Sequence, residues 1–229
     1  MGERIQIEVP GLGDGVDDVG GWLARPTGQP RGALVVIQEI FGANAHIREV
    51  ADGYAAEGYL ALAPALFDAV ERDVELPYDQ ASMQRGKRLS DAVGLDRALA
   101  IVAAAAERLR ADGVPVGAVG FCWGGTIAYL ANVRLGLPAV SYYGARTVPF
   151  LDEPLRAPMA FHFGDHDTSI PPEAVAAHGD KHPDAAVFTY PAGHAFNRDI
   201  DSAHYEPRSA ALARQRTLEL FAHALRPET

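Results

Sequence analysis

The run Gly32-Ala-Leu-Val-Val-Ile37 is apolar throughout. Such a run suits a strand buried on both faces, as in a parallel sheet covered by helices. Comparable runs recur at 59–64 (YLALAP), 115–121 (PVGAVGF), 138–143 (PAVSYY), 158–163 (PMAFHF) and 185–190 (AAVFTY). Helical patterns alternate with them over 45–57, 91–110, 124–134 and 206–225. In the first, Ile47, Val50, Ala51 and Tyr54 fall on one face. The second opens with Asp91 as a candidate N-cap. Residues 66–90 read as irregular and charged. At the start, 4–9 alternate polar and apolar, 11–19 are rich in Gly and Asp, and 20–25 can form a return strand. The expectation is an α/β fold: a mostly parallel central sheet with helices on both faces, begun by an antiparallel hairpin. With 229 residues, no repeat, no low-complexity tract and no linker, residues 1–229 read as a single domain.

Charge narrows the partners. Lys plus Arg number 20 and Asp plus Glu 30, a net charge of −10. Nucleic-acid binding needs a basic face, so it is not expected. No apolar run is long enough to span a bilayer, so no membrane partner is expected either. The opening MGERIQIEVP has no apolar signal core, which sets the cytoplasm as the expected compartment. One cysteine excludes an intrachain disulfide, and a reducing compartment keeps it a free thiol.

That cysteine lies in Gly120-Phe-Cys122-Trp-Gly124-Gly125, between an expected strand and an expected helix. This is the G-x-nucleophile-x-G pattern in its strand–turn–helix setting. The nucleophile sits on a sharp turn with strained backbone angles, and glycines flank it because side chains there would collide. The turn lifts the sulfur above the sheet edge and aims the Trp123 N–H and the helix N-terminus at the same spot. Those groups hold an oxyanion and favour a thiolate. A lone cysteine is more often a buried structural residue; the strand before it and the helix after it favour chemistry here.

A thiol nucleophile needs a base, and the base an orienting acid. In such sheets the chain order is nucleophile, acid, base. The strand at 158–163 leads into Gly164-Asp-His-Asp167-Thr-Ser-Ile-Pro171. The strand at 185–190 leads into Pro191-Ala-Gly193-His194-Ala-Phe-Asn-Arg198. Both loops follow strand C-termini, where open α/β sheets keep their sites. The candidate triad is Cys122, Asp167 and His194. Asp165 rivals Asp167, and His166 rivals His194. His162, inside its strand, reads as a core histidine. His162, His166 and Asp167 lack recognisable zinc spacing, so no metal and no cofactor is expected.

These pieces resemble the dienelactone hydrolase family (carboxymethylenebutenolidases), a cysteine-nucleophile branch of the α/β-hydrolase fold. The matching blocks are Gln38-Glu39-Ile40-Phe41-Gly42-Ala43-Asn44, Gly120 to Gly125, Gly164 to Asp167 with Pro171, and Gly193 to Arg198. They extend over most of the chain in family order. The resemblance implies that Cys122, Asp167 and His194 form the triad. It implies that Glu39 pairs with Cys122 or His194 and controls the charge of the thiol. It also implies that the backbone N–H groups of Ile40 and Trp123 form an oxyanion hole, and that Arg198 binds a substrate carboxylate. A second arginine is implied between the strand at 59–64 and the helix at 91–110. There ELPYDQASMQRGKRLSD (75–91) is ambiguous in register: one register places Tyr78 at that position, and Arg85 or Arg88 are the alternatives.

The expected activity is hydrolysis of a carboxylate-bearing lactone or ester through an acyl-enzyme, with a small molecule as the only expected partner. The competing readings are a broad carboxylesterase or thioesterase, and a non-catalytic or redox-sensing protein on the same shell, since a low-pKa exposed thiol also suits a sensor. An intact base and acid count against the sensor. The sequence carries no signature of an oligomeric state.

Overall fold

The computed structural model describes residues 2–13 and 15–226. Asp14, within the expected turn at 11–19, and residues 1 and 227–229 of the expected single domain lie outside the described residues. The chain divides into two compact units, one running up to Gly117 with Leu225 added, the other Ala118–Ala224.

The first unit opens with β1 (Glu3–Glu8) and β2 (Asp18–Ala24), paired antiparallel with Glu3 opposite Leu23. This is the expected hairpin. The buried run becomes β3 (Ala33–Ile37), every residue of which is buried. Helix α1 (Ala45–Ala56) follows, capped by Asn44, whose side-chain oxygen accepts from the Ile47 N–H at 3.2 Å. Next comes β4 (Leu60–Pro64), parallel to β3 and antiparallel to β2. The strand order in this unit is β1-β2-β4-β3.

The stretch at 66–90 departs from the irregular reading. After a 3-10 turn over Leu66–Ala69, helix α2 (Gln80–Arg110) begins eleven residues before the expected Asp91 cap. Its cap is Asp79, which accepts from the Ser82 N–H at 2.7 Å. The helix breaks not at Asp91 but at Gly94, where φ is 72° and ψ 167°. The early half was hidden because its buried residues are Ser82, Gly86, Ser90 and Val93. These fall at helical spacing, but three are small or polar, so they leave no apolar periodicity. Gly86 is required: a Cβ there would lie 1.8 Å from the Ile40 carbonyl oxygen. The first half of α2 therefore presses its backbone onto the loop that leaves β3.

The second unit carries the last four strands: β5 (Val116–Phe121), which starts two residues before it, β6 (Ala139–Tyr142), β7 (Met159–Gly164) and β8 (Ala186–Tyr190). They pair in sequence order, all parallel. Helix α3 (Trp123–Leu135) follows β5 and ends at Gly136 in the left-handed conformation, φ 70°. Helix α4 (Pro172–Lys181) was not anticipated. Its start at Pro171-Pro172 is a helix-opening signal, but among its residues only His178 is buried. Helix α5 (Pro207–Ala224) closes the unit. The α/β class, the mostly parallel strands and the N-terminal hairpin are as expected. No described helix is long and apolar enough to cross a membrane.

Candidate active site

Cys122 is the first residue past β5 and the N-cap of α3, with φ 54° and ψ −117°. A non-glycine residue at positive φ persists only where its surroundings over-determine it. Two close approaches do so. A Cβ on Gly120 would lie 1.9 Å from the Gly124 oxygen, and one on Gly125 would lie 2.6 Å from the Tyr142 oxygen. The Cys122 N–H extends the β5–β6 ladder by donating to Tyr142 O at 3.0 Å. Its carbonyl accepts from the Gly125 N–H at 2.9 Å, the first turn of α3. The thiol is partly exposed, and Trp123 opens the helix whose positive end faces it.

The loops after β7 and β8 are bonded to each other. Asp165 N–H donates to Tyr190 O at 2.9 Å and His166 N–H to Ala192 O at 3.0 Å. Gly164 allows this approach, since a Cβ there would lie 2.2 Å from Ala192 O. The result is that Asp167, its side chain wholly buried, accepts from His194 Nδ1 at 2.6 Å. Its other oxygen accepts from the Ser169 N–H at 2.8 Å. His194 is in turn hydrogen-bonded to Cys122. Burial opposes a charge on the imidazole. The Cys122 charge and the hydrogen bonds from Asp167 and Cys122 outweigh it, and His194 is pushed up to about 10. Asp167, His194 and Cys122 are thus linked in sequence.

The rivals fall elsewhere. Asp165 and His166 are exposed and face each other at 3.4 Å. His162 is fully buried in β7, between Tyr190 OH at 2.8 Å and Thr217 Oγ1 at 3.1 Å. Burial, helped by the Arg216 charge, holds it down to about 3, the neutral core histidine expected. Arg198 is buried and ion-paired with Asp201 at 2.9 Å. Asp201 also accepts from His204 at 2.8 Å. Desolvation of Asp201 is outweighed by these two hydrogen bonds, so its carboxyl is held low.

The remaining candidates belong to the first unit. Glu39 is 1% exposed, just past β3. Its neighbour Gln38, also buried, accepts from the Leu66 N–H at 3.0 Å and donates to Glu39 O at 3.2 Å. Gly42, at φ 86°, meets Val74, where a Cβ would be 2.0 Å from the carbonyl oxygen. With Gly86 against Ile40 O, the 38–42 block is held from both sides. Tyr78 packs on Phe41 with ring centroids 4.6 Å apart and accepts from Asn44 Nδ2 at 3.0 Å. Arg85 and Arg88 are both exposed, and Arg85 is paired with Glu71. A cleft of about 260 Å³ in this unit is lined by Arg4, Arg48, Arg72, Trp22 and Glu75 among others. It contains no nucleophile, and its arginines are matched by carboxylates: Arg4 and Arg48 by Glu75, Arg72 by Asp18.

Sequence reasoning missed Tyr143 and Asn197. The Tyr143 ring lies 4.8 Å from the His194 ring, and its hydroxyl donates to Asn197 Oδ1. The available signal was position: Tyr143 is the first residue beyond β6.

A carboxymethylenebutenolidase from a Pseudomonas strain is 33% identical over 233 residues, covering 96% of this chain and 94% of that protein. The crystal structure of a Klebsiella pneumoniae protein assigned as a dienelactone hydrolase is 29% identical. It superposes with a TM-score of 0.83 over 97% of this chain and 99% of its own. The dienelactone hydrolase of Anabaena variabilis, 18% identical with a TM-score of 0.69 and 99% of each chain covered, shares the fold. The family model for the dienelactone hydrolase family matches residues 19–225. The chain belongs to the dienelactone hydrolase family.

Proposed function

We propose that this hydrolase cleaves a carboxylate-bearing lactone or ester of the dienelactone type through a Cys122–His194–Asp167 triad and an acyl-enzyme. The observation that carries this reading is the unbroken contact from a strained, partly exposed thiol to His194 and on to a buried carboxylate. The attacking species in this reading is the Cys122 thiolate, with the proton on His194. The sulfur attacks the carbonyl carbon, and the oxyanion is taken by the N–H groups of Trp123 and Ile40. The carbon–oxygen bond then breaks and the leaving oxygen takes the His194 proton. In the second half, water attacks the thioester while His194 removes its proton. The carbon–sulfur bond breaks, and thiolate and imidazolium are restored. Asp167 holds Nδ1–H throughout, so Nε2 faces the reacting atoms. Glu39 modulates the charge of the thiol; what supports this is its burial just past β3 and the family resemblance of its block.

Arg198 is the proposed carboxylate anchor, and the pairing with Asp201 favours a second reading. A guanidinium already neutralised by a carboxylate attracts an anion weakly, which suits a broad carboxylesterase. One experiment separates them: kcat and KM on cis- and trans-dienelactone beside neutral p-nitrophenyl esters, for the parent and for Cys122→Ala, His194→Ala and Arg198→Ala. Cys122→Ala and His194→Ala should each lose activity by about 10³-fold or more. Arg198→Ala should raise KM for the dienelactones alone. Full activity in Cys122→Ala refutes the triad, and an equal response of charged and neutral substrates to Arg198→Ala refutes the carboxylate anchor.

A further inference from the structure

Tyr143 is fully buried, yet its φ is +41°. An aromatic residue seldom adopts this backbone conformation unless its neighbours impose it. They do so from both sides. The Tyr143 N–H donates to His162 O in β7 at 2.8 Å, and the carbonyl just before it, that of Tyr142, accepts from the Cys122 N–H at 3.0 Å. The peptide that leaves β6 is therefore fastened directly to the backbone of the cysteine.

The side chain turns the other way, into the loop that carries the histidine. Its ring meets the His194 imidazole at 4.8 Å with the planes inclined by 56°, and the Phe196 ring edge-on at 5.6 Å. Its hydroxyl donates to Asn197 Oδ1. Between those contacts lies Ala195, also at positive φ, 63°. A buried ring needed only for packing could be phenylalanine. Here the hydroxyl is spent on a side-chain amide three residues beyond His194, across a turn that is itself strained. His194 thus meets the Cys122 thiol, the Asp167 carboxylate and the Tyr143 ring, and Tyr143 also grips the far side of its loop.

We propose that Tyr143, through its hydrogen bond to Asn197, is a positioning residue that holds the His194 loop in contact with Cys122. This rests on the reading of Cys122 and His194 as nucleophile and base. Tyr143 acts by joining the peptide bonded to the cysteine to the turn that presents the histidine. It forms no bond to substrate in this role.

The test uses Tyr143→Phe, Asn197→Ala and the double variant. Three quantities are read for each: kcat and KM on a p-nitrophenyl ester, the pH profile of iodoacetamide alkylation, and the thermal midpoint. Cys122 is the chain's one cysteine, so alkylation reports on it alone. Each single variant should lower kcat about 10- to 50-fold with KM within about twofold, and raise the alkylation midpoint by about one pH unit. The double variant should be no worse than the weaker single, since both remove one bond. The proposal is overturned if kcat and the alkylation profile are unchanged in Tyr143→Phe, or if the two losses multiply. It is also overturned if activity falls only in step with the thermal midpoint while the alkylation profile stays put. Should Tyr143→Phe fail to fold, Asn197→Ala decides the same points. Alkylation needs no ester turnover, so failure of the hydrolase reading would appear in Cys122→Ala and not in this profile.

Discussion

Replacing Asp167 by Asn removes one charge and leaves the shape of the site almost unchanged. Asp167 Oδ2 accepts from His194 Nδ1 at 2.6 Å, and its side chain is wholly buried while that of His194 is 25% exposed. His194 stands at about 10 against an ordinary 6.5. Burial opposes the imidazolium charge, and the Cys122 charge and the Asp167 hydrogen bond outweigh it. A hydrogen bond to a charged group contributes about 1.5–3 kcal/mol, which alone predicts a loss of roughly 10- to 150-fold. A second effect adds to it. Asn can offer its amide hydrogens to Nδ1, which favours the tautomer carrying its proton on Nε2, facing Cys122 with a donor instead of an acceptor. Reversed tautomers of this kind cost up to about 10⁴-fold in kcat elsewhere. The expected loss in Asp167→Asn is therefore about 10²- to 10⁴-fold in kcat. Iodoacetamide should also alkylate Cys122 more slowly at pH 7, and the rising limb of the profile should move to higher pH. The assay is steady-state ester hydrolysis beside alkylation on one preparation, with circular dichroism to confirm the fold. A kcat within twofold of the parent and an unmoved alkylation profile would refute the argument that Asp167 sets the charge and tautomer of His194.

Three further outcomes follow from the packing. His162 is held down to about 3 when folded and returns to about 6.5 when unfolded, so its contribution to stability is complete above pH 6.5 and is lost as pH falls toward 3. By pH 5 about 2 kcal/mol should be gone; urea unfolding from pH 7 to 4 should show this slope, reduced by about one proton in His162→Gln, with His178 and His182, also held low by burial, adding in the same direction. Gly120→Ala should not yield folded protein, because its Cβ would strike the Gly124 oxygen. Gly179→Ala, in α4 with nothing within 4 Å of the added carbon, should raise the thermal midpoint, corresponding to about 0.5–1 kcal/mol.

The sequence revealed those parts of the molecule whose physics is local. A strand buried on both faces must be apolar at every position, so β3 and β5 are visible without partners. A turn that brings Gly120 against Gly124 must be glycine, so the cysteine's setting is visible too. The first half of α2 was not, because its buried face includes Ser82, Gly86 and Ser90, small or polar residues that leave no apolar pattern, with Gly86 required by its closeness to Ile40. Helix α4 buries only His178, so burial left no pattern to find. For Arg198, the family resemblance of the 193–198 block pointed to the residue, but the ion pair with Asp201 depends on how the 194–205 loop folds back on itself.

Tyr143 shows why such partners escape a reading by motif. Within the second unit the parallel ladder continues one step beyond the strand ends: Cys122 bonds to Tyr142, Tyr143 to His162, Asp165 to Tyr190. Each exit residue is thereby fixed by its neighbour before its own side chain is placed. That is how Cys122 at φ 54° and Tyr143 at 41° remain in conformations that cost about 1–3 kcal/mol each. Strain at Cys122 leaves a trace in the sequence, because the tight turn around it forces glycine at neighbouring positions. Strain at Tyr143 is balanced by hydrogen bonds and ring contacts with residues distant in the chain, and the one neighbour it fixes is Gly144, where a Cβ would lie 2.6 Å from Ser141 Oγ. The same sheet edge therefore writes one of its strained residues as a motif with glycines on both sides, and the other beside a single glycine, with its partners legible only in three dimensions. A positioning residue of the second kind is to be sought at the first residue past a strand, at positive φ, with its side chain directed at the next loop.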